Sequence, residues 1–204
     1  VDENFAGRPA ETVLEISRRK AAAVAARHPN AVILAADTLV FADEPLGKPH
    51  TPERAKEMLM ALADNWHNVY TGITLIDTNS GRVVRNVDRT RVHIAPMTEQ
   101  EIDAYIATGE PLDKAGAYAI QGQGGMFIDR IDGSYSNVVG LPMAMLRNML
   151  LPICSSTFHT WHRFPLPLET RTALSSAAFR RRIFQSIRQL LFLPTISPVE
   201  LNGS

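Results

Sequence analysis

Lys20, Lys48 and Lys114 are three of only four lysines in this 204-residue chain, and each belongs to a segment whose neighbours are unusual for an ordinary surface. The fourth, Lys56, falls on a helix-forming stretch without such context. Taken with Glu3, Asp37 and Asp113, these lysines form an inventory suited to polyphosphate chemistry. Cations neutralise non-bridging phosphate oxygens, and one or two carboxylates suffice for a divalent cation such as Mg2+ or Mn2+ that keeps several of its waters. The segment Asp113-Lys-Ala-Gly-Ala-Tyr-Ala-Ile-Gln-Gly122 concentrates the pattern. Its glycines free the backbone for close approach to a ligand, Lys114 is a compact cation for phosphate, and Gln121 offers a two-sided amide to a base edge. The match to it is Ala35-Ala-Asp-Thr38, where Asp37 ends the apolar run Ala31–Ala36.

The elements that must hold these residues follow from periodicity and punctuation. Good helix formers run from Pro9 to His28, with Pro29 as the stop. Lys20 shares a face with Ile16 and Val24, so it either covers apolar surface with its stem or reaches a cleft edge. Ala31 to Phe41 is apolar on both faces, as in a central strand covered by helices. An acid at the carboxyl end of such a strand is placed for catalysis, with a turn-capping acid as the alternative. Thr51-Pro52-Glu53 opens a second helix with an apolar stripe of Ala55, Met58, Leu59 and Leu62. Two extended segments, His67 to Ile76 and Val83 to Ile94, flank a turn-rich loop and predict a hairpin, with Arg85, Arg89 and Arg91 on a solvated face. Thr98 to Glu101 is a capping box. Phe127 to Ile131 is a short strand, and Pro142 leads into a last helix through about Leu150. Alternating strands and helices with one hairpin predict an α/β fold with a mixed sheet flanked by helices.

Bulk composition narrows the function classes. The formal charge is +0, which argues against a basic nucleic-acid binder. A single cysteine precludes an internal disulfide and fits a reducing compartment. No apolar run reaches the length of a membrane span. Residues 1–150 form the expected domain, whereas residues 151–204 carry six arginines, no lysine, repeated prolines and polar clusters, an atypical tail. Arg180 to Leu193 is a possible basic amphipathic helix for a partner or a membrane surface, and His159 and His162 are a metal pair only if other ligands join them. Gly122-Gln-Gly-Gly125 is not a dinucleotide fingerprint, because a strand follows it, and no Walker-type phosphate loop occurs. Metal-assisted hydrolysis of a phosphoanhydride is the chemistry that remains.

Five motifs in order carry a family resemblance: Ala36-Asp-Thr38, Leu46-Gly-Lys-Pro49, His67-Asn-Val-Tyr-Thr-Gly72, Gly109 to Gly122, and Asn137-Val-Val-Gly-Leu-Pro142. Over residues 1–150 the chain resembles the Maf family of nucleoside triphosphate pyrophosphatases. The resemblance implies a cytoplasmic homodimer with a fold similar to that of inosine triphosphate pyrophosphatases, cleaving between the α and β phosphates with a divalent metal. It gives Asp37 the role of proton acceptor, places Lys48 with it in catalysis, and assigns Lys20, Asp113 and Lys114 to the substrate. Thr38 and Gln121 match the branch acting on dTTP and UTP rather than the 7-methyl-GTP branch. Family members open with a strand and a Ser-Pro-Arg-Arg type loop, and the chain is expected to begin after that unit, with Glu3 matching the metal-holding acid that follows it. The alternatives are a nucleotide-binding remnant without turnover, a 7-methyl-GTP pyrophosphatase, and an interaction protein that uses its basic tail.

Overall fold

The computed structural model describes residues 8–161. Contacts divide the chain into two units, Val1–Thr157 and Phe158–Ser204. The first described element is helix α1 (Pro9–Ala25), which carries proline in its first turn. Strands β1 (Val32–Phe41) and β2 (Pro45–Leu46) follow, then helix α2 (Pro52–Leu62), strands β3 (Asn65–Asp77) and β4 (Arg82–Ile94), and helix α3 (Glu99–Ala107). Short 3-10 turns span Glu110–Phe127 before strand β5 (Ile128–Asp132), and helices α4 (Tyr135–Val139) and α5 (Met143–Trp161) complete the described residues.

The five strands form one sheet in the order β2-β1-β3-β4-β5. The expected α/β layering with flanking helices is present, but the sheet is antiparallel at every pairing of these strands. Among the described residues the one parallel pairing is an isolated bridge from Ala63 to Ile94. Hairpin geometry explains this: β3 and β4 are joined by the predicted turn at Asp77–Gly81, and β1 meets β3 antiparallel over its whole length. Strand β1 is also less enclosed than its apolar sequence suggested. Among the described residues its outer edge is paired only at Val40 and Phe41, and most of its side chains are half-buried.

Local signals set several boundaries. Thr51 accepts a hydrogen bond from the Arg54 amide at the start of α2, and the Thr98–Glu101 capping box closes in both directions at α3. The arginines at 85, 89 and 91 are exposed as expected, and Arg91 stacks over Trp66 at 4.5 Å. The last helix differs from expectation, because it continues past Leu150 to Trp161. Leu146, Met149 and Ile153 recur on one face and are buried against Ile73 and Leu75, and such packing outweighs the unfavourable propensity of a proline at position 152. The side chains of His159 and His162 are outside the described residues.

A second core fills the other half of the same sheet face. It gathers Val40 and Val69 with Met58, Leu59 and Leu62 of α2, Ile102 and Tyr105 of α3, and Ala117 and Tyr118 of the 3-10 region. The glycine-rich segment therefore joins the sheet at one end of this core, where β1 begins to turn toward β2.

Candidate active site

Asp37 and Thr38 are consecutive in β1, so their side chains leave opposite faces of the sheet. Asp37 is paired in register with Gly72 of β3, and Thr38 with Thr71. On the Asp37 face, α1 packs across β3 and β1. The helix backbone comes close to the sheet at Gly72, where a Cβ would stand 2.6 Å from the carbonyl carbon and oxygen of Val13, a spacing that only glycine tolerates. One turn further along α1, Ser17 Oγ is 2.9 Å from Thr74 Oγ1 in a buried contact. After the next turn, Lys20 Nζ reaches Asp37 Oδ1 at 2.5 Å. The carboxyl side chain is 16% exposed and the lysine 56%, so the pair lies at the surface, with the lysine reaching over to the carboxylate.

On the opposite face, Thr38 lines a cavity of about 230 Å³. Its walls are largely apolar, with Val40, Val69, Tyr118, Ile120, Val138 and Val139, and Lys114 and Gln121 share the lining with Thr38. A mostly apolar pocket with a few convergent polar groups is the usual form of a ligand site. Thr38 Oγ1 is 2.9 Å from Thr71 Oγ1, and Thr71 Oγ1 donates to the Asn137 carbonyl at 3.1 Å. The Asn137 side chain is itself anchored in the core, with Nδ2 donating to the Val69 carbonyl and to Thr90 Oγ1, both at 3.0 Å.

Lys114 Nζ is 2.5 Å from Asp113 Oδ1. This hydrogen bond, with the charges of Lys114 and Lys48 behind it, holds the Asp113 carboxyl below the usual carboxylate range. The Lys48 loop is tied to the same segment by backbone bonds, Gly116 N to the Gly47 carbonyl at 3.1 Å and His50 N to the Leu112 carbonyl at 3.2 Å. Lys48, Asp113 and Lys114 are thus brought together, as are Lys20 and Asp37, and as are Thr38, Lys114 and Gln121. Glu3 lies outside the described residues. Among the described residues, no cluster of three or more His, Cys, Asp or Glu could hold a metal ion.

Gly122, at the end of the segment, and Gly124 just beyond it pack closely against side chains of the protein itself. A Cβ on Gly122 would collide with the Glu110 carboxylate, and one on Gly124 with the Tyr105 hydroxyl. Glu110 Oε1 accepts from Tyr105 Oη at 2.7 Å and from Gly124 N at 3.0 Å, and Oε2 accepts from Gln123 N at 3.0 Å. Burial acts to raise this carboxyl, but these donors outweigh it and hold it below its ordinary value. The close approach is therefore to an internal anion that fixes the loop carrying Gln121.

Tyr118, inside the same segment, has its hydroxyl 2.7 Å from His67 Nε2 in the core. Burial, helped by the charge of His93, lowers His67 to about 4, and burial raises Tyr118 well above its ordinary value. Glu110, Tyr118, Thr71 and Asn137 were not singled out from the sequence. All four stand within the quoted motifs, but they have partners as far as 68 residues away along the chain.

Strand β1 thus carries an acid–lysine pair on one face and, on the other, lines an apolar pocket with lysine and amide. Residues 1–153 match the model of the family described as Maf-like protein, and the chain belongs to the Maf family. It is 46% identical over 152 residues to a dTTP/UTP pyrophosphatase of Bacillus cytotoxicus, covering 74% of this chain and 78% of the relative. A dTTP/UTP pyrophosphatase of Salinibacter ruber is 48% identical over 144 residues, covering 70% and 71%. One from Bdellovibrio bacteriovorus is 42% identical over 146 residues, covering 69% and 76%.

Proposed function

We propose that the protein hydrolyses dTTP and UTP to the nucleoside monophosphate and pyrophosphate. The observation that carries this reading is the adjacency of Asp37 and Thr38, which sends one side chain to Lys20 and the next into the pocket with Lys114 and Gln121. The base occupies the apolar pocket, and the phosphates extend past the edge of β1 toward Asp37. Lys114 and Lys48, with Asp113 orienting them, meet the phosphate oxygens, and Gln121 reads a base edge.

Asp37 takes a proton from water as its oxygen forms a bond to the α-phosphorus. The bond from that phosphorus to the α–β bridging oxygen breaks, and its electron pair leaves with pyrophosphate. Lys20, 2.5 Å from Asp37 Oδ1, orients the carboxylate. Hard carboxylate oxygens suit a divalent cation that retains waters and takes phosphate oxygens; Asp37 would hold it, with Glu3 as the proposed second acid. Held there, Mg2+ or Mn2+ would neutralise phosphate charge. The reading includes a homodimer in the cytoplasm. Among the described residues, no helix is long and apolar enough to cross a membrane.

The test is pyrophosphate release from dTTP, UTP, CTP and 7-methyl-GTP with Mg2+. The expected result is turnover of dTTP and UTP, with a loss of about 10²- to 10⁴-fold in Asp37→Asn, the range for a lost general base. Preference for 7-methyl-GTP, or full activity in Asp37→Asn, overturns it.

A further inference from the structure

We infer that Thr71 and the backbone of Asn137 act as positioning residues that fix the direction of the Thr38 hydroxyl, so that the pocket presents a hydrogen-bond acceptor to the base and selects uracil or thymine over cytosine. The inference rests on the reading of the pocket as the base site.

The argument is an inventory of protons. Each threonine hydroxyl has one proton to donate and lone pairs to accept with. Thr71 is fully buried and has two oxygen neighbours, the Asn137 carbonyl at 3.1 Å and Thr38 Oγ1 at 2.9 Å. The carbonyl only accepts. Both contacts become hydrogen bonds in one arrangement alone: Thr71 donates to Asn137, and Thr38 donates to Thr71. The reverse arrangement leaves two oxygens facing each other at 3.1 Å with no proton between them, in a buried position where an unmade bond is expensive. The carbonyl cannot turn away. It also accepts from Gly140 N at 2.9 Å, and the Asn137 side chain is pinned by Val69 and Thr90.

With its proton committed inward, Thr38 Oγ1 shows only lone pairs to the cavity it lines. Gly140 lies beside this oxygen without a side chain to cover it; a Cβ there would stand in van der Waals contact, 3.4 Å away. Uracil and thymine carry an N–H at ring position 3 and donate to such an acceptor. Cytosine has a bare nitrogen at that position and meets lone pairs with a lone pair. The chain thus holds a polarity filter whose setting is made on Thr71, a residue one layer behind the ligand.

The experiment measures equilibrium binding of UTP and CTP to protein carrying Asp37→Asn, so that turnover does not interfere. UTP should bind at least tenfold more tightly than CTP. Adding Thr71→Val removes the acceptor of the Thr38 proton while nearly conserving volume. The UTP preference should then collapse to within about threefold, in part through tighter CTP binding, which a merely structural defect does not produce; Thr71→Ser should restore it. An unchanged preference in Thr71→Val, or no preference in the parent, overturns the inference. If Thr71→Val loses the parent's circular dichroism spectrum, the test passes to N3-methyluridine triphosphate on the protein with Thr71. Binding equal to that of UTP overturns the inference, and binding at least tenfold weaker supports it. Selective UTP binding without pyrophosphate release from the protein with Asp37 would instead sink the catalytic reading and leave the filter standing.

Discussion

Lowering the pH from 7.5 to 5 should destabilise the protein through His67 alone by about 2 kcal/mol. His67 is 1% exposed, and burial takes it from an ordinary value of 6.5 to about 4 in the folded state. Above pH 6.5 the imidazole is neutral in both folded and unfolded chains and contributes no pH dependence. Between 6.5 and 4 the unfolded chain binds a proton that the folded chain refuses, so stability falls as the pH falls. Below 4 both states are protonated and the loss levels off. About two and a half pH units at about 1.4 kcal/mol each give a full loss of about 3 kcal/mol, of which about 2 kcal/mol has accrued at pH 5. The assay is urea unfolding of the parent and of His67→Gln at half-unit steps from pH 7.5 to 4.5. Carboxylates also titrate in the lower part of this range, but they do so in both proteins, and the difference isolates the histidine. The replacement lowers stability at every pH, since it disturbs the bond to Tyr118, but its curve should be flatter by about 2 kcal/mol between pH 7.5 and 5. Parallel curves for the two proteins would refute the reasoning.

Two further substitutions probe the frame around the site. Gly122→Ala places a methyl group against the Glu110 carboxylate and should cost about 1–3 kcal/mol, the range for overpacking; calorimetric unfolding reads the stability, and UTP affinity should fall with it because Gln121 is displaced. Thr98→Ala opens the capping box of α3 and should cost about 1 kcal/mol in urea unfolding, with the UTP to CTP preference unchanged.

Local chemistry was legible in the sequence where the cause of the structure is local. The Thr51 and Thr98 caps, the turn between β3 and β4 and the solvated arginines all depend on residues within a few positions of each other. The opposite orientation of Asp37 and Thr38 was also available from strand periodicity. What could not be read is what depends on contacts across the chain. An antiparallel rather than mixed sheet is decided by which strands meet, and the alternation of elements leaves that open. Gly122 looked ligand-facing because its backbone freedom is visible in the sequence, whereas the Glu110 carboxylate it closes upon is not. Thr71 and Asn137 belong to two different motifs, and only folding reveals that one hydroxyl and one carbonyl meet. The long α5 was shortened in expectation because a proline is a strong local signal, while the burial of Ile153 that supports the helix beyond it is tertiary.

Gly72 bears on the site in a way its lack of a side chain conceals. It pairs with Asp37 across the ladder and touches α1 two turns before Lys20. The height at which that helix rides above the sheet is therefore gauged by an absence, and the reach of Lys20 to the carboxylate inherits its tolerance from that gap. A methyl group at position 72 would act as a shim under the far end of a lever. It would alter the ion pair without touching either partner, so the spacing of Lys20 and Asp37 is machined at a residue with no functional group of its own.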